Sequence, residues 1–227
     1  MKMHLKRLAA PKSWRLNRKE HRLIVRPNPG AHKFSHSISL NTFLKSMINT
    51  ASTTREVKYI LKNKTVLVDG RKRREHKFSV GLMDVVSIPE IKENYRMIID
   101  RNGKIAARKI NGEEVNFKMC RIEDKRFAKG KMHLNLGGGR NIIVDNNDYK
   151  TGDSVALSIP EQKILNHIRL ESGAIALMTG GKHVGEICTV ERVESDKVVL
   201  KSQEGKFDAR KKDVFAIGKE KPLINIQ

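Results

Sequence analysis

A chain of 227 residues with 46 Lys and Arg against 25 Asp and Glu carries a formal net charge of +21; such self-repulsion points to a polyanionic partner, nucleic acid before an anionic membrane. No apolar run approaches the roughly 18–20 residues that span a bilayer, no secretory h-region follows the N-terminus, and aromatic residues, common anchors of membrane-surface helices, are only 5%. The two cysteines, Cys120 and Cys188, form no CxxC pair, which argues against a zinc ribbon and fits a reduced cytoplasmic setting with both as small buried hydrophobes.

Residues 1–33 hold ten Lys or Arg and one acid, Glu20, a local net charge of +9. Pro11, Pro27 and Pro29 interrupt any helix, and no apolar stripe persists beyond the short Leu5–Leu8 patch. This segment, taken to residue 36, is predicted to be an extended, irregular basic arm that takes its order from a partner, so that removing residues 1–33 impairs assembly more than folding. Lys6, Arg7, Lys12, Arg15, Arg18, Lys19 and Arg26 are its candidate RNA contacts. Trp14, the single tryptophan, has two readings: a ring that stacks on a base or sugar, or an anchor that fastens the arm to the folded body.

Residues 37–90 are predicted to form a small α+β module. Leu40, Phe43, Leu44, Met47 and Ile48 fall on one stripe of an amphipathic helix. Thr53-Thr54-Arg55-Glu56 is a capping-box pattern, and Val57, Ile60 and Leu61 continue as the stripe of a second, shorter helix. Arg55, Lys58 and Lys62 share a face displaced from that stripe; a basic helical face is ordinarily just solvated. Val66-Leu67-Val68 reads as a strand, Asp69-Gly70 as a tight hairpin turn, and Arg71-Lys72-Arg73-Arg74 as a basic return. Asp84-Val85-Val86-Ser87-Ile88-Pro89 closes the module as a strand stopped by proline.

Residues 91–171 are predicted to be a central all-β domain. Tyr95–Ile99 and Lys104–Ala107 flank Arg101-Asn102-Gly103, a hairpin signal. Val115 to Ile122 partly alternates, with Val115, Phe117, Met119 and Arg121 on one face and Asn116, Lys118 and Cys120 on the other. His133, Leu134 and Leu136 lead into Gly137-Gly138-Gly139, and Ile142-Ile143-Val144 returns. The three glycines fit no phosphate-loop pattern and are read as a tight β-turn, from which Arg140 is a candidate RNA contact. Asp153 to Glu161 echoes Asp84 to Glu90 as a second proline-ended strand. Glu161 to Arg169 is expected to be a linker, or a turn of helix.

Residues 172–227 show short strands with glycine turns: Ala174–Met178, Val184–Val190, Lys197–Leu200 and Val214–Ile217. Their spacing suggests a small SH3-like barrel. Lys182 and His183, on the turn after Thr179-Gly180-Gly181, are expected at an exposed tip, and for His183 a solvent-facing residue with no role stands beside an RNA contact.

No chemistry is legible. The histidines lack metal-ligand spacing, GxSxG is absent, and Glu113-Glu114 and Asp145–Asp148 fall in predicted turns. The reading has no catalytic residue, no metal, no cofactor, no membrane and no small-molecule substrate.

Three resemblances refine it. Thr54-Arg55, Val66-Leu67-Val68-Asp69-Gly70 and Asp84-Val85-Val86-Ser87-Ile88 together resemble the small S4-type RNA-binding module of several ribosomal proteins, pseudouridine synthases and tyrosyl-tRNA synthetases, though many such modules have a glycine where this chain has Asn63-Lys64. The resemblance implies that Arg55, Lys58, Lys62 and Arg71, Lys72, Arg73 and Arg74 face RNA. Gly180-Gly181-Lys182-His183-Val184-Gly185 resembles the KOW motif, with Cys188 where a further glycine is usual, which predicts more regular backbone there. His4 to Trp14, Val25-Arg26-Pro27-Asn28-Pro29-Gly30, Gly81-Leu82-Met83-Asp84-Val85, Leu134-Asn135-Leu136, Gly139-Arg140-Asn141, Asp148-Tyr149-Lys150 and Thr179 to Gly185 resemble, in order and nearly end to end, the small-subunit ribosomal protein family S4e of archaea and eukaryotes. Arg15 stands where that family often has proline, and the short C-terminus is more like the archaeal form.

The fold class expected is therefore mainly β with a small α+β module: a basic arm (1–36), an α+β RNA-binding module (37–90), a central all-β domain (91–171) and a C-terminal SH3-like (KOW) barrel (172–227). The resemblance implies a structural, non-enzymatic constituent of the small ribosomal subunit in the cytoplasm, with small-subunit ribosomal RNA and neighbouring ribosomal proteins as partners. An RNA-modifying enzyme that docks through residues 37–90 is the alternative, but it needs a catalytic Gly-Arg-Leu-Asp type motif that the sequence lacks. A KOW-bearing transcription factor explains only the last third.

Overall fold

The computed structural model describes residues 4–128, 130–145, 148–202, 205–219 and 221–224. The chain divides into two units, residues 1–98 with 104–116, and residues 99–103 with 117–227. Antiparallel strands dominate both, and helices are few and short.

In the first unit the N-terminal segment is folded, against the expectation of an irregular arm. β1 (Leu5–Lys6) pairs with β2 (Leu23–Ile24), so the chain closes on itself within twenty residues. Arg18 holds the loop between them by donating to the carbonyls of Leu8 (3.2 Å), Ala10 (2.8 Å) and Pro11 (2.8 Å). Trp14 is only 2% exposed, bridges Ile105 and packs its ring 5.5 Å from Phe34. The anchor reading of Trp14 is the one the structure bears out; a buried indole cannot stack on RNA, and burial of an aromatic ring outweighs what a surface stack would return.

β3 (Ser37–Ser39) leads into the first helical run. Ser39 caps it by accepting Thr42 N–H at 3.2 Å, and Leu40, Phe43 and Leu44 are fully buried as the stripe requires. Only α1 (Leu40–Thr42) is α; Phe43–Met47 continues as a π turn, with Ile48 N–H reaching Phe43 O at 3.3 Å. Asn49, at φ 52°, ends the run, the left-handed conformation that Asn tolerates at a helix end. α2 (Thr54–Asn63) starts from a complete capping box: Thr53 Oγ1 accepts Glu56 N–H at 3.2 Å, and Glu56 accepts the N–H groups of Ser52 and Thr53. The Ser52 N–H is the main cause holding the Glu56 carboxyl below the usual range.

β4 (Leu67–Val68) and β5 (Arg71–Lys72) flank Asp69 and Gly70, both at positive φ (49° and 73°), the pairing a type I′ hairpin needs. β6 (Ser79–Gly81) pairs with β3. β7 (Val85–Ile88), β8 (Glu93–Ile99) and β9 (Ile105–Lys109) complete a sheet of order β5-β4-β7-β8-β9. The boundary expected at residue 90 thus falls inside one sheet: β8 and β9, assigned from sequence to the central domain, extend the module. Trp14, Phe43, Leu61, Val86, Met97 and Ile105 belong to one core.

The second unit contains two sheets. β10 (Phe117–Ala128), β11 (Lys131–Leu136), β12 (Arg140–Val144), β13 (Ser154–Ser158) and β14 (Ile164–Ile168) take the order β12-β11-β10-β13-β14. β10 serves both halves, pairing with β13 through Arg121 and with β11 from Ile122, and its register shifts between Ile122 and Asp124. Cys120, Ile122, Leu134, Leu136, Val155 and Leu157 are its core. Gly137–Gly139 make the β11–β12 turn, Gly138 and Gly139 at positive φ. One expectation is corrected: residues 161–169 are no linker but carry edge strand β14. Lys118, on the face it shares with Cys120, is 2% exposed.

β15 (Ile175–Met178), β16 (Ile187–Val193), β17 (Lys197–Ser202), β18 (Gly205–Arg210) and β19 (Val214–Gly218) form the second sheet, order β18-β17-β16-β15-β19. It is hydrogen-bonded as an open sheet, not a closed barrel, and β18 lay outside the strands read from sequence. Gly185, at φ 81°, lies where a Cβ would meet the Asp100 carbonyl oxygen at 2.2 Å, so only glycine fits.

Because Trp14 belongs to the core, Trp14→Ala should lower unfolding free energy by about 3–5 kcal/mol, measured by urea denaturation. An unchanged midpoint would restore the free-arm picture.

Candidate nucleic-acid interface

The first unit concentrates uncommitted cations on one helix and one hairpin. α2 buries Val57 and Leu61, and this turns Arg55, Lys58 and Lys62 outward, all exposed. In the hairpin return Arg71, Lys72 and Arg74 are exposed; Lys72 reaches Thr65 Oγ1 at 3.4 Å. The two groups share a neighbourhood. His76 lies 3.0 Å from Glu75; burial pushes its imidazole down, Glu75 opposes that, and the charges of Lys58 and Lys77 add to the lowering. The lowering favours the neutral form of His76, so the positive potential here comes chiefly from Lys and Arg.

Arg73 differs from its neighbours. It is half-buried, and its guanidinium carbon lies 4.4 Å from the Phe78 ring centroid, a cation–π contact that makes it a packing residue. The expectation that all four cations of the run face RNA is corrected for this one.

The N-terminal segment divides the same way. Lys6, Lys12, Arg15 and Lys19 are exposed. Arg7 is 8% exposed and donates from Nη2 to Glu20 at 2.9 Å; Arg18 is spent on three carbonyls; Arg26 is half-buried, 5.6 Å from the Phe34 ring. Trp14, in the core, and Arg18, on its carbonyls, are structural where the sequence suggested RNA contacts, while Arg7 is fixed in place by Glu20.

In the second unit Arg140 opens β12, half-buried and opposite Leu136. Lys182 is exposed, but His183 is not at a free tip. Its ring stacks on Phe207 at 4.0 Å and 17°, and Nδ1 lies 3.2 Å from Glu186, whose other oxygen accepts the Ser202 hydroxyl at 3.0 Å. The exposed-tip expectation is corrected for His183: it fastens the turn to β18. Sequence reading missed a second cationic cluster, Arg121, Arg210, Lys211 and Lys212, which lines a 390 Å³ cavity with Glu123 and Asp196. Burial pulls the Arg121 guanidinium below its usual value, partly offset by Glu123 and Asp213. Arg210, Lys211 and Lys212 are a consecutive basic run that the sequence displays, but Arg121, on β10, joins them only in the fold.

Among the described residues no group of three or more His, Cys, Asp or Glu side chains is placed to hold a metal ion, and no helix is long and apolar enough to cross a membrane. Cys120 and Cys188 are buried, and burial pushes the Cys188 thiol up to about 11, which suppresses its nucleophilic thiolate.

Comparisons with known proteins agree along the chain. Residues 1–35 match the RS4NT (NUC023) domain and residues 91–164 match Ribosomal family S4e. The small ribosomal subunit protein eS4 of Methanocaldococcus jannaschii is 45% identical, with 99% of this chain and 98% of that protein covered. The eS4 of Methanococcus vannielii is 44% identical over 98% of this chain and 97% of its own. The crystal structure of 30S ribosomal protein S4e from Thermoplasma acidophilum superposes with a TM-score of 0.71 at 33% identity, covering 81% of this chain and 95% of that one.

Replacing Arg71, Lys72 and Arg74 with serine removes three exposed charges and no core contact. It should leave thermal unfolding unchanged, weaken RNA binding and reduce the slope of log K against log salt by about 2–3, since each phosphate contact contributes roughly 0.7–0.9. An unchanged slope would remove the hairpin from the interface.

Proposed function

The chain belongs to ribosomal family S4e, and on that premise we propose that it is a structural constituent of the small ribosomal subunit, resident on the cytoplasmic ribosome, that binds ribosomal RNA through basic patches on linked modules. The observation that carries this reading is identity of 45% to a small-subunit protein over 99% of the chain. A net charge of +21 and the exposed cations of α2 and the β4–β5 hairpin supply the physical means. No chemical step is assigned to the protein.

Finer assignments follow. Residues 37–90 act as an S4-type RNA-binding module in which Arg55, Lys58, Lys62, Arg71, Lys72 and Arg74 meet phosphates. Lys6, Lys12, Arg15 and Lys19 add contacts from the folded N-terminal segment, with Arg26 beside them, and Arg140 and Lys182 add contacts from the second unit. The C-terminal sheet, with its first strand β15 between β16 and β19, is a KOW-type SH3-like unit. Neighbouring ribosomal proteins cover part of the remaining surface.

Binding follows from counterion release: each Lys or Arg that neutralises a phosphate frees condensed cations, so affinity falls steeply with salt. With about 6–10 contacts the loss between roughly 50 and 200 mM salt is about 10³–10⁵ on a duplex. Specificity comes from RNA shape, met by several linked modules, and linkage raises the effective concentration of each module at its site.

Sedimentation of the tagged protein from a native lysate tests this. Co-migration with small subunits that survives moderately high salt is expected. A protein that stays at the top of the gradient at low salt would favour the alternative, a free RNA-modifying enzyme docking through residues 37–90.

A further inference from the structure

We infer that the cleft between the N-terminal segment and the helical run of residues 40–47 holds one unpaired nucleotide of single-stranded RNA. The inference rests on the RNA-binding reading and narrows it to a place and a strand state. The cleft measures about 800 Å³, within the roughly 300–1,000 Å³ of pockets that enclose a small ligand.

Its charge is one-sided. Arg7, Arg15, Lys45 and Lys104 line it against one carboxylate, Glu20, which Arg7 Nη2 already engages at 2.9 Å. Two of its lining side chains are more than nine-tenths buried and keep a polar atom with no partner. Arg7 is 8% exposed and leaves Nε unmet; Asn41 is 4% exposed and leaves Oδ1 unmet. A buried donor or acceptor without a partner costs about 1–3 kcal/mol, a cost that ordered water or a bound ligand at the site would remove.

One is a donor and the other an acceptor, so the ligand must offer both. A bare anion serves Arg7 Nε–H and leaves Asn41 Oδ1 unmet. An unpaired nucleotide serves both: a phosphate or base oxygen accepts from Arg7, and a base amine or imino N–H donates to Asn41. In a duplex those base donors are used in pairing, whereas single-stranded bases present their edges to protein. Arg15, Lys45 and Lys104 then meet the flanking phosphates.

The test titrates the full chain with a labelled mixed-sequence single-stranded RNA octamer and with a blunt A-form RNA duplex. The proteins compared are the native form, Asn41→Ala, Lys104→Glu and the Arg71, Lys72, Arg74 triple serine variant. Each cleft variant should weaken octamer binding about tenfold, the size of one charge-assisted hydrogen bond, with duplex binding unchanged, while the hairpin variant weakens both. Lys104 is exposed, so Lys104→Glu decides the matter if Asn41→Ala fails to fold. Cleft variants that bind the octamer like the native protein, while the hairpin variant is impaired, overturn the inference, leave the RNA reading intact and free the cleft for an acidic protein segment. A native protein that binds neither RNA overturns both.

Discussion

A carboxylate taken out of water must be given partners or it unfolds what surrounds it, and each unit of this protein is tied at one such point. In the first, Asp84 is 2% exposed and accepts Gly81 N–H at 2.8 Å, with His32 Nε2 2.9–3.0 Å from its two oxygens. In the second, Asp153 is 3% exposed and accepts Lys150 N–H (3.1 Å) and Leu170 N–H (3.0 Å), with His167 Nε2 at 2.8 Å. Each aspartate stands just before an interior strand of its sheet, β7 or β13, and each draws in a histidine from elsewhere. His32 lies so close to Gly81 that a Cβ there would sit 2.1 Å from its ring; the glycine is the space the histidine needs. The sequence echo of Asp84–Pro89 and Asp153–Pro160 is thus an echo of one physical solution. The His32–Asp84 contact holds the C-terminal end of the N-terminal segment, and Trp14 holds its middle.

The same constraint sorts the cations. Charge this dense cannot all face water without crowding, and part of it is taken inward. Arg7 meets Glu20, Arg18 meets three carbonyls, and Arg73 covers Phe78. Arg96 is 1% exposed and donates to the Glu114 carbonyl, burial pulling its guanidinium down to about 10. Arginine suits this use because its planar fork is weakly hydrated and stays charged even after such a shift. In the first unit what remains outside is mostly on α2, the β4–β5 hairpin and the N-terminal loop, elements whose buried faces are fixed by Val57, Leu61, Val68 and Trp14. The exposed charges therefore stand on rigid supports.

Signals contained within a few residues were legible before the structure: the Thr53–Glu56 capping box, the Asp69-Gly70 and Gly137–Gly139 turns, the proline-ended β7. Features decided by a distant partner were not. β1 and β2 are two residues each and exist only because Arg18 and Trp14 fold the loop between them. β14, Ile164-Leu165-Asn166-His167-Ile168, buries one residue fully, Ile168, so an edge strand defined by its pairing with β13 leaves no alternation to read. Composition likewise cannot separate a structural arginine from a phosphate contact, since Glu20 and Phe78 become partners only in three dimensions. His183 is the instructive exception: Glu186 lies three residues away, and that spacing held a clue to its partner.

The folded state of the N-terminal segment changes what its charges are worth. Ordering a disordered backbone on binding costs about 1–2 kcal/mol per residue, and that penalty would fall on RNA association if the segment were a loose arm. Here the ordering accompanies folding of the first unit, driven by Trp14 and the Arg18 carbonyl contacts, so the RNA contacts proposed for Lys6, Lys12, Arg15 and Lys19 would cost only side-chain entropy, about 0.5–1.5 kcal/mol each. Counterion release depends on how many phosphates are neutralised, not on how the cations were held beforehand. Preorganisation accordingly raises affinity at every salt concentration while leaving the salt slope to the charge count alone. A rigid scaffold and a steep electrostatic term are separable quantities in this protein, and loosening Trp14 acts on the first without touching the second.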